Sequence, residues 1–508
     1  MSAPSLFRFG FLCVPAPGVP STHRIWTDLA GRWPSLEVDG LVIYSHPEAP
    51  LQHHEGSGGS AVVVGEAFAT SGTVESVLAD LLAAAADDGF FEAFNRLSGR
   101  FALFFFKGSA QRALHDPMGS RSLYYRVGQE IGLGSHAELV ARALGHRRSA
   151  KVREILTSEE YRSRTVKYLP GDLTVYEGVH GLAPNNYYDI RAGRTVRYWP
   201  RRPRREAGFD RFSAALDDHL GALASYLRDR RAPILGVTGG IDTRTIIAAF
   251  NRFGVPFAGA TWLRSKGGAD ERELALIDAL VAAGSFEHTY LDLSRMDGEL
   301  RSVARFAKRN AGRFGPPSRT TAHLHKHFGR SGATFVRGYG AEILRGFYNL
   351  PGGSSSAARK RFPGTLRAQI GRHLARSRSR PVAVRHPAPD ALLTAYDSSM
   401  RLPHGGPEHQ RLGLAAFEGF AERANFGQGL TRFGFDLSDI FYWEHRMGMW
   451  GSAKHNEMDP AVLSIAGFNS RSVYEAAFGL PPKERLTKAL LLRVISGYDD
   501  ALARMPFV

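Results

Sequence analysis

Apolar runs in the first part of the chain are short and are broken by Gly, Pro and Ser, as at 61–64, 101–106 and 132–134. Such runs predict antiparallel strands, with a helix near 74–86. From Phe209 the period changes. Phe212, Leu216, Leu220, Leu223 and Leu227 recur at helical spacing. Short apolar strands are then predicted at 233–238, 256–262, 287–293 and 333–337, with helices at 243–253 and 270–283 between them. Alternation of this kind implies a parallel sheet covered by helices, with ligands bound beyond the C-terminal strand ends. The chain thus reads as a multi-domain α/β protein. Residues 1–200 form a strand-rich domain. Residues 201–208, an exposed Pro- and Arg-rich stretch, form a linker. Residues 209–508 form a parallel-sheet domain, in which 351–386 is an Arg-rich insertion.

Composition changes this picture little. The 508 residues are 43% hydrophobic and 22% charged, as in ordinary soluble globular proteins. No apolar run reaches the roughly 18 residues of a membrane span, and the N-terminus does not read as a signal peptide. The single cysteine, Cys13, excludes an internal disulfide or a multi-cysteine metal site and fits a cytoplasmic home. The net charge of +16 is compatible with a nucleotide, an acidic peptide or nucleic acid as partner, and equally with a solvated basic surface. His323, His325 and His327 read as solvated histidines, because only the outer two share a helix face.

The chemistry concentrates after the first strand of the second domain, in Thr238-Gly239-Gly240-Ile241-Asp242-Thr243. Paired glycines let a backbone approach a ligand, and N–H groups at a helix N-terminus hold anions. Asp242 can carry phosphate-bound Mg²⁺, and the two threonines add hydroxyl donors. The spacing is too short for a P-loop, and the terminal Gly-Lys-Ser/Thr is missing.

This segment resembles the SGGxDS motif of ATP pyrophosphatases, and the chain around it resembles the asparagine synthetase superfamily. The likeness continues in RLSGRFALFFF (96–106), HDPMGSRSLYY (115–125), the stretch 174–199, Gly338-Tyr339-Gly340-Ala341-Glu342-Ile343, Phe468-Asn469-Ser470-Arg471 and the region around Lys488. It implies an N-terminal-nucleophile-type antiparallel sandwich followed by a parallel-sheet ATP pyrophosphatase domain. It also implies cleavage of ATP to AMP and pyrophosphate through an acyl-adenylate. Glutaminase chemistry is not expected. Ser2 stands where the family has its nucleophilic cysteine, and Val64-Gly65-Glu66 replaces the asparagine-containing oxyanion turn. β-Lactam synthetase and the lasso-peptide cyclases are the similar members that join amine to carboxylate without glutamine.

The resemblance assigns ATP to Val237, Thr238, Gly239, Gly240, Asp242, Thr243, Ala260, Gly338 and Gly340, and Mg²⁺ to Asp242 and Glu342. Tyr339 is the expected general base, supported by Glu418 or Glu422. Lys488 is the expected stabiliser of transition-state charge, with Lys454 in reserve. Arg244 and Arg345 are further phosphate candidates, and Asp270-Glu271 reads equally as a ligand contact or a helix N-terminal pair. The partners expected are a small-molecule or peptide carboxylate and amine, an acidic or leader peptide, and a second copy of the chain. The other readings are a catalytically silent scaffold that binds peptide or nucleic acid, and, ranked last, an RNA-modifying pyrophosphatase.

Overall fold

Two six-stranded antiparallel sheets face each other in the N-terminal half. One runs in the order Val179–Gly181, Tyr124–Arg126, Leu133–Gly134, Phe11–Pro15, Leu41–Ser45 and Ser35–Val38. The other runs Arg194–Arg197, Asn186–Asp189, Ala110–His115, Leu97–Lys107, Gly59–Ala69 and Leu51–Gly56. This computed structural model describes residues 6–84, 86–128, 130–230, 233–263, 271–329, 331–346, 389–399, 406–427 and 430–507. Ser2, Asp270 and the 351–386 insertion lie outside them.

The alternation of side chains along a strand builds two cores at once. Val62, Val64, Ala102, Phe104 and Phe106 point between the sheets, towards Phe11, Cys13 and Ile43. Ala61, Val63, Phe101, Leu103 and Phe105 point the other way. They meet the helices Val74–Ala83 and Asp87–Phe94 and share one continuous core with the Phe209–Arg228 helix of the second half. Both faces of the long central strand Leu97–Lys107 are therefore buried, which is why its Phe101–Phe106 segment reads as an unbroken apolar run.

The second half contains a five-stranded parallel sheet in the order Glu287–Asp292, Ala258–Leu263, Ile234–Gly236, Thr334–Arg337 and Leu463–Ala466. The last strand, absent from the sequence reading, pairs Thr334 with Leu463 and Arg337 with Ala466. The first strand is central, so the loop after it opens at the middle of the C-terminal sheet edge. The Ile241–Arg252 helix that follows buries nine of its twelve residues.

A polar seam joins the halves. Arg100 donates to Asp459 at 2.5 and 2.8 Å and to Asn456 at 2.8 Å, with the Arg100 and Asp459 side chains both fully buried. Asn469 donates to Asp116 at 2.6 Å and to the Gly99 carbonyl at 2.7 Å. Arg197 pairs with Glu444, and Arg471 donates to Asn185 and Tyr198. Part of the arginine excess is thus structural: Arg100, Arg121, Arg244 and Arg471 are among the largest fully buried side chains. The linker is also fixed, since Arg204 N–H donates to the Phe433 carbonyl and Ala207 N–H to that of Gly479.

The structure departs from two expectations. His323 is buried, with Nε2 at 2.9 Å from the Arg295 carbonyl, and His325 Nδ1 lies 3.2 Å from the Pro460 carbonyl. Their helix packs one face against the sheet domain, and only His327 is exposed as expected. Val64-Gly65-Glu66 is not a turn either. It lies within the Gly59–Ala69 strand, where Glu66 accepts from Tyr226 and Arg230. Among the described residues no helix is long and apolar enough to cross a membrane.

Candidate functional site

The site is built from two strand ends. After Ile234–Gly236 the chain turns through Thr238, Gly239 and Gly240 into the Ile241–Arg252 helix, with Gly240 at the N-cap and no side chain capping it. The first N–H groups of that helix are therefore left without intrahelical or side-chain cap partners, beside the positive end of its dipole. The Thr238 and Thr243 hydroxyls lie 3.1 Å apart, and Gly240 N–H donates to Thr238 Oγ1 at 3.3 Å. Val237 and Ala260 are buried beneath the loop, where Val237 N–H donates to the Ala260 carbonyl at 2.9 Å.

After Thr334–Arg337 the chain turns at Gly338, Tyr339 and Gly340. Gly340 has φ +96, and a Cβ there would lie 2.7 Å from Tyr474 Oη and 3.0 Å from the Phe468 carbonyl. Only glycine relieves both constraints. A Cβ on Gly338 would come within 3.1 Å of Asp242 Cβ, so the two loops are in close contact. This turn starts the short Ala341–Leu344 helix that carries Glu342.

Asp242 and Glu342 thus face a common space. Burial is the main cause raising the Glu342 pKa to about 7, and the Asp242 carboxylate adds to it. Burial also raises Asp242, against the pull of Arg345 and Lys488. Arg345 donates to Asp242 Oδ1 at 2.5 Å. Glu342 Oε2 is buried and has no hydrogen-bond partner. A buried carboxylate oxygen without a donor, beside a second carboxylate, calls for a cation. Among the described residues no group of three or more His, Cys, Asp or Glu could hold a metal. Two carboxylates suffice for Mg²⁺ when phosphate oxygens and waters supply the remaining positions. The donor set therefore fits Mg²⁺ held jointly with a polyphosphate.

Tyr339 lies beside this pair. Arg337 donates to its hydroxyl and stacks over its ring at 3.8 Å. Trp450 and His455 flank the ring, with centroids at 6.0 and 5.5 Å. Burial raises the phenol pKa; Arg337 and Arg446 pull it down, and Glu342 and Glu457 push it up. The carboxylates near Tyr339 are therefore Glu342 and Glu457. Glu418 and Glu422, the supports expected from sequence, are exposed on the Pro407–Arg423 helix. That helix turns Leu412, Ala416, Phe417 and Phe420 inwards, and its last turn holds Asp172 through Arg423, which leaves both glutamates facing solvent. Lys454 pairs with Glu457.

Lys488 is exposed at the start of the Ala489–Tyr498 helix, yet near enough to Asp242 to lower its pKa. Its Nζ lies 4.5 Å from the Phe507 ring centroid. Arg244 does not face the phosphate space. Its buried guanidinium donates to the carbonyls of Leu502, Met505 and Pro506 and stacks on Phe507 at 3.9 Å. Phe507 thus lies between Arg244 and Lys488. Glu271 is exposed at the start of its helix.

Sequence reasoning missed Arg337, Arg446, Trp450 and Phe507. Arg446 and Trp450 lie four residues apart on the wide π-type helix Tyr442–Gly451, with the guanidinium 3.9 Å from the indole centroid. A π-helical stretch, which often marks functional sites, has no sequence signature. In the N-terminal half Cys13 is fully buried in the sandwich core, and burial pushes its thiol far above the ordinary range, so it is no nucleophile.

No family model matches this chain, and no curated protein matches it in sequence. Solved structures with a distant likeness include glutamine phosphoribosylpyrophosphate amidotransferase from B. subtilis complexed with ADP and GMP. It is 10% identical, covers 67% of this chain and 71% of its own, and has a TM-score of 0.22. A structure described as the allosteric regulatory enzyme of purine biosynthesis is 11% identical over 67% of this chain and 70% of its own, also at a TM-score of 0.22. At these scores neither likeness bears on the reaction.

Proposed function

We propose that this protein is an ATP-dependent amide-bond synthetase or cyclase that forms AMP and pyrophosphate through an acyl-adenylate and does not hydrolyse glutamine. The observation that carries the reading is the buried, unpartnered Oε2 of Glu342 facing Asp242 at the C-terminal edge of a parallel sheet. On this reading, helix N–H groups after Gly240 and the hydroxyls of Thr238 and Thr243 receive the phosphates. Asp242 and Glu342 would hold Mg²⁺, and the ion would supply positive charge for the pyrophosphate leaving group. The substrate carboxylate attacks the α-phosphorus, and the α–β phosphoanhydride bond breaks.

An amine then attacks the acyl carbon, and AMP leaves. Tyr339 takes the proton from the amine, and the Arg337 hydrogen bond to its hydroxyl favours the phenolate. Lys488, held beside Asp242 by Phe507, stabilises the tetrahedral oxyanion. Exchange of labelled pyrophosphate into ATP, with candidate amino acids and peptides as the carboxylate, tests the reading. Wild type should exchange with its substrate and Asp242→Ala should not; equal exchange by the two would sink the proposal.

One observation favours a second reading. Arg345 donates to Asp242 Oδ1 and so supplies positive charge at a proposed Mg²⁺ ligand, as expected of a silent homologue that binds a peptide without turnover. Calorimetric titration with MgATP separates the two. Saturable binding lost in Asp242→Ala supports the synthetase, and its absence in wild type supports the scaffold.

A further inference from the structure

Where the linker crosses the sheet domain, two clefts meet. The first, of about 230 Å³, is lined by Arg201, Arg202, Arg204, Arg205 and Arg211 with the aromatic wall of Trp199. The second, of about 200 Å³, shares Arg204 and Phe435 with the first and continues along Ile440, Phe478, Leu480 and Leu486. We propose that together they form one trough that binds an extended acidic peptide, acidic residues in the first cleft and apolar residues in the second.

The charge balance argues for the acidic end. Five arginines line the first cleft against three acids, Asp88, Glu92 and Glu475. Arg201 and Arg202 are occupied by Asp88 and Glu92, and Arg204 donates to the Phe478 carbonyl. Glu475 accepts from the Trp199 indole at 2.7 Å. Among the described residues Arg205 and Arg211 are exposed and have no side-chain partner. Two unpaired guanidinium forks in a cleft that also has an aromatic wall suit carboxylates. A continuous phosphate backbone suits the trough less well, because the same walls carry three acids. The second cleft has only one arginine of its own, Arg485, which is spent on Asp439. Its apolar lining takes aliphatic side chains instead.

The apolar end leads to the candidate site. A Cβ on Gly346 would lie 2.7 Å from Leu486 and 3.0 Å from Asp439, so the cleft abuts the turn that follows Glu342 and Arg345. Leu486 also stands two residues before Lys488. A peptide lying in the trough would have its apolar end at the rim of the adenylation site. That the bound peptide is the substrate rests on the proposed synthetase reading; that the trough binds it does not.

Fluorescence anisotropy on the full chain tests this, with a labelled peptide that carries a run of glutamates followed by leucines. We expect saturable binding that weakens with salt and falls by about tenfold or more in the Arg205→Glu/Arg211→Glu double variant. Both residues are exposed, so folding should survive, and Arg205→Lys/Arg211→Lys should retain binding. Leu486→Asp should weaken this peptide but not one of glutamates alone. No saturable binding, binding indifferent to the charge reversal, or equal competition by a charge-matched oligothymidylate would each overturn the trough. Asp242→Ala should bind peptide normally while losing pyrophosphate exchange. Loss of exchange in wild type with intact peptide binding would therefore count against the reaction alone.

Discussion

Arg345 and Asp242 form an ion pair at 2.5 Å on the carboxylate that the sequence resemblance assigns to Mg²⁺. The guanidinium supplies positive charge at that oxygen, while Glu342 Oε2 has no hydrogen-bond donor. The pair is mostly buried, with side-chain exposures of 9% and 21%. Removing one partner therefore leaves a poorly solvated charge.

Arg345→Met should make the carboxylate pair depend on metal. Millimolar Mg²⁺ without nucleotide is expected to raise the Tm of the variant more than that of wild type, because the ion then supplies charge that Arg345 no longer provides. Differential scanning calorimetry with and without Mg²⁺ decides this, and equal shifts contradict the metal assignment.

Metal-free stability should fall as pH rises through the Glu342 titration. Its folded pKa of about 7 lies above the ordinary value of 4.5, so the native state binds the proton more tightly than the unfolded chain. Stability is then lost between about pH 4.5 and pH 7, and Asp242, also raised, acts in the same direction. Urea unfolding at several pH values should show this slope in wild type. It should flatten in Glu342→Gln and in the presence of MgATP.

Phe507→Ala should reduce turnover without changing the KM for ATP. The ring supports Lys488 at 4.5 Å, and a cation–π contact near the surface contributes about 0.5–1 kcal/mol. A rate loss of about 2–5-fold follows, against about 100-fold or more for Lys488→Ala. A rise in KM at unchanged kcat would place Phe507 in binding instead.

Tyr339→Phe should lower amide formation by about 100-fold while leaving pyrophosphate exchange intact, since the phenol acts only in the second step. The raised phenol pKa implies that wild-type amide formation increases towards alkaline pH. That increase should disappear in the variant. A quench-flow measurement that separates adenylate formation from amine attack checks both points.

Asp459→Ala should destabilise the whole chain by about 3–5 kcal/mol, because it strands two buried guanidinium groups, Arg100 and Arg121. A single unfolding transition at lower urea would show that the two halves unfold together through this seam.

The sequence by itself determined the local elements and the loop. Leucines at helical spacing predict Phe209–Arg228 as it is found. Apolar runs punctuated by turn residues locate four of the five parallel strands to within a few residues. Strand, glycine pair, Asp and helix in that order locate the turn before Asp242. These features rest on periodicity and backbone conformation, which act between near neighbours. Tertiary structure alone decided the contacts across long separations. Leu463–Ala466, separated by four residues from the Ser452–Met458 helix, is too short to show a period of its own and becomes a strand only by pairing with Thr334–Arg337. Which carboxylates approach Tyr339 depends on how helices pack. Glu418 and Glu422 share a helix whose apolar face must turn inwards, and so they point outwards. Arg345 on Asp242, Arg337 on Tyr339 and Phe507 between two cations are likewise invisible in the sequence. A side chain's charge is written in the sequence, but its partner is set by the packing that excludes water around it.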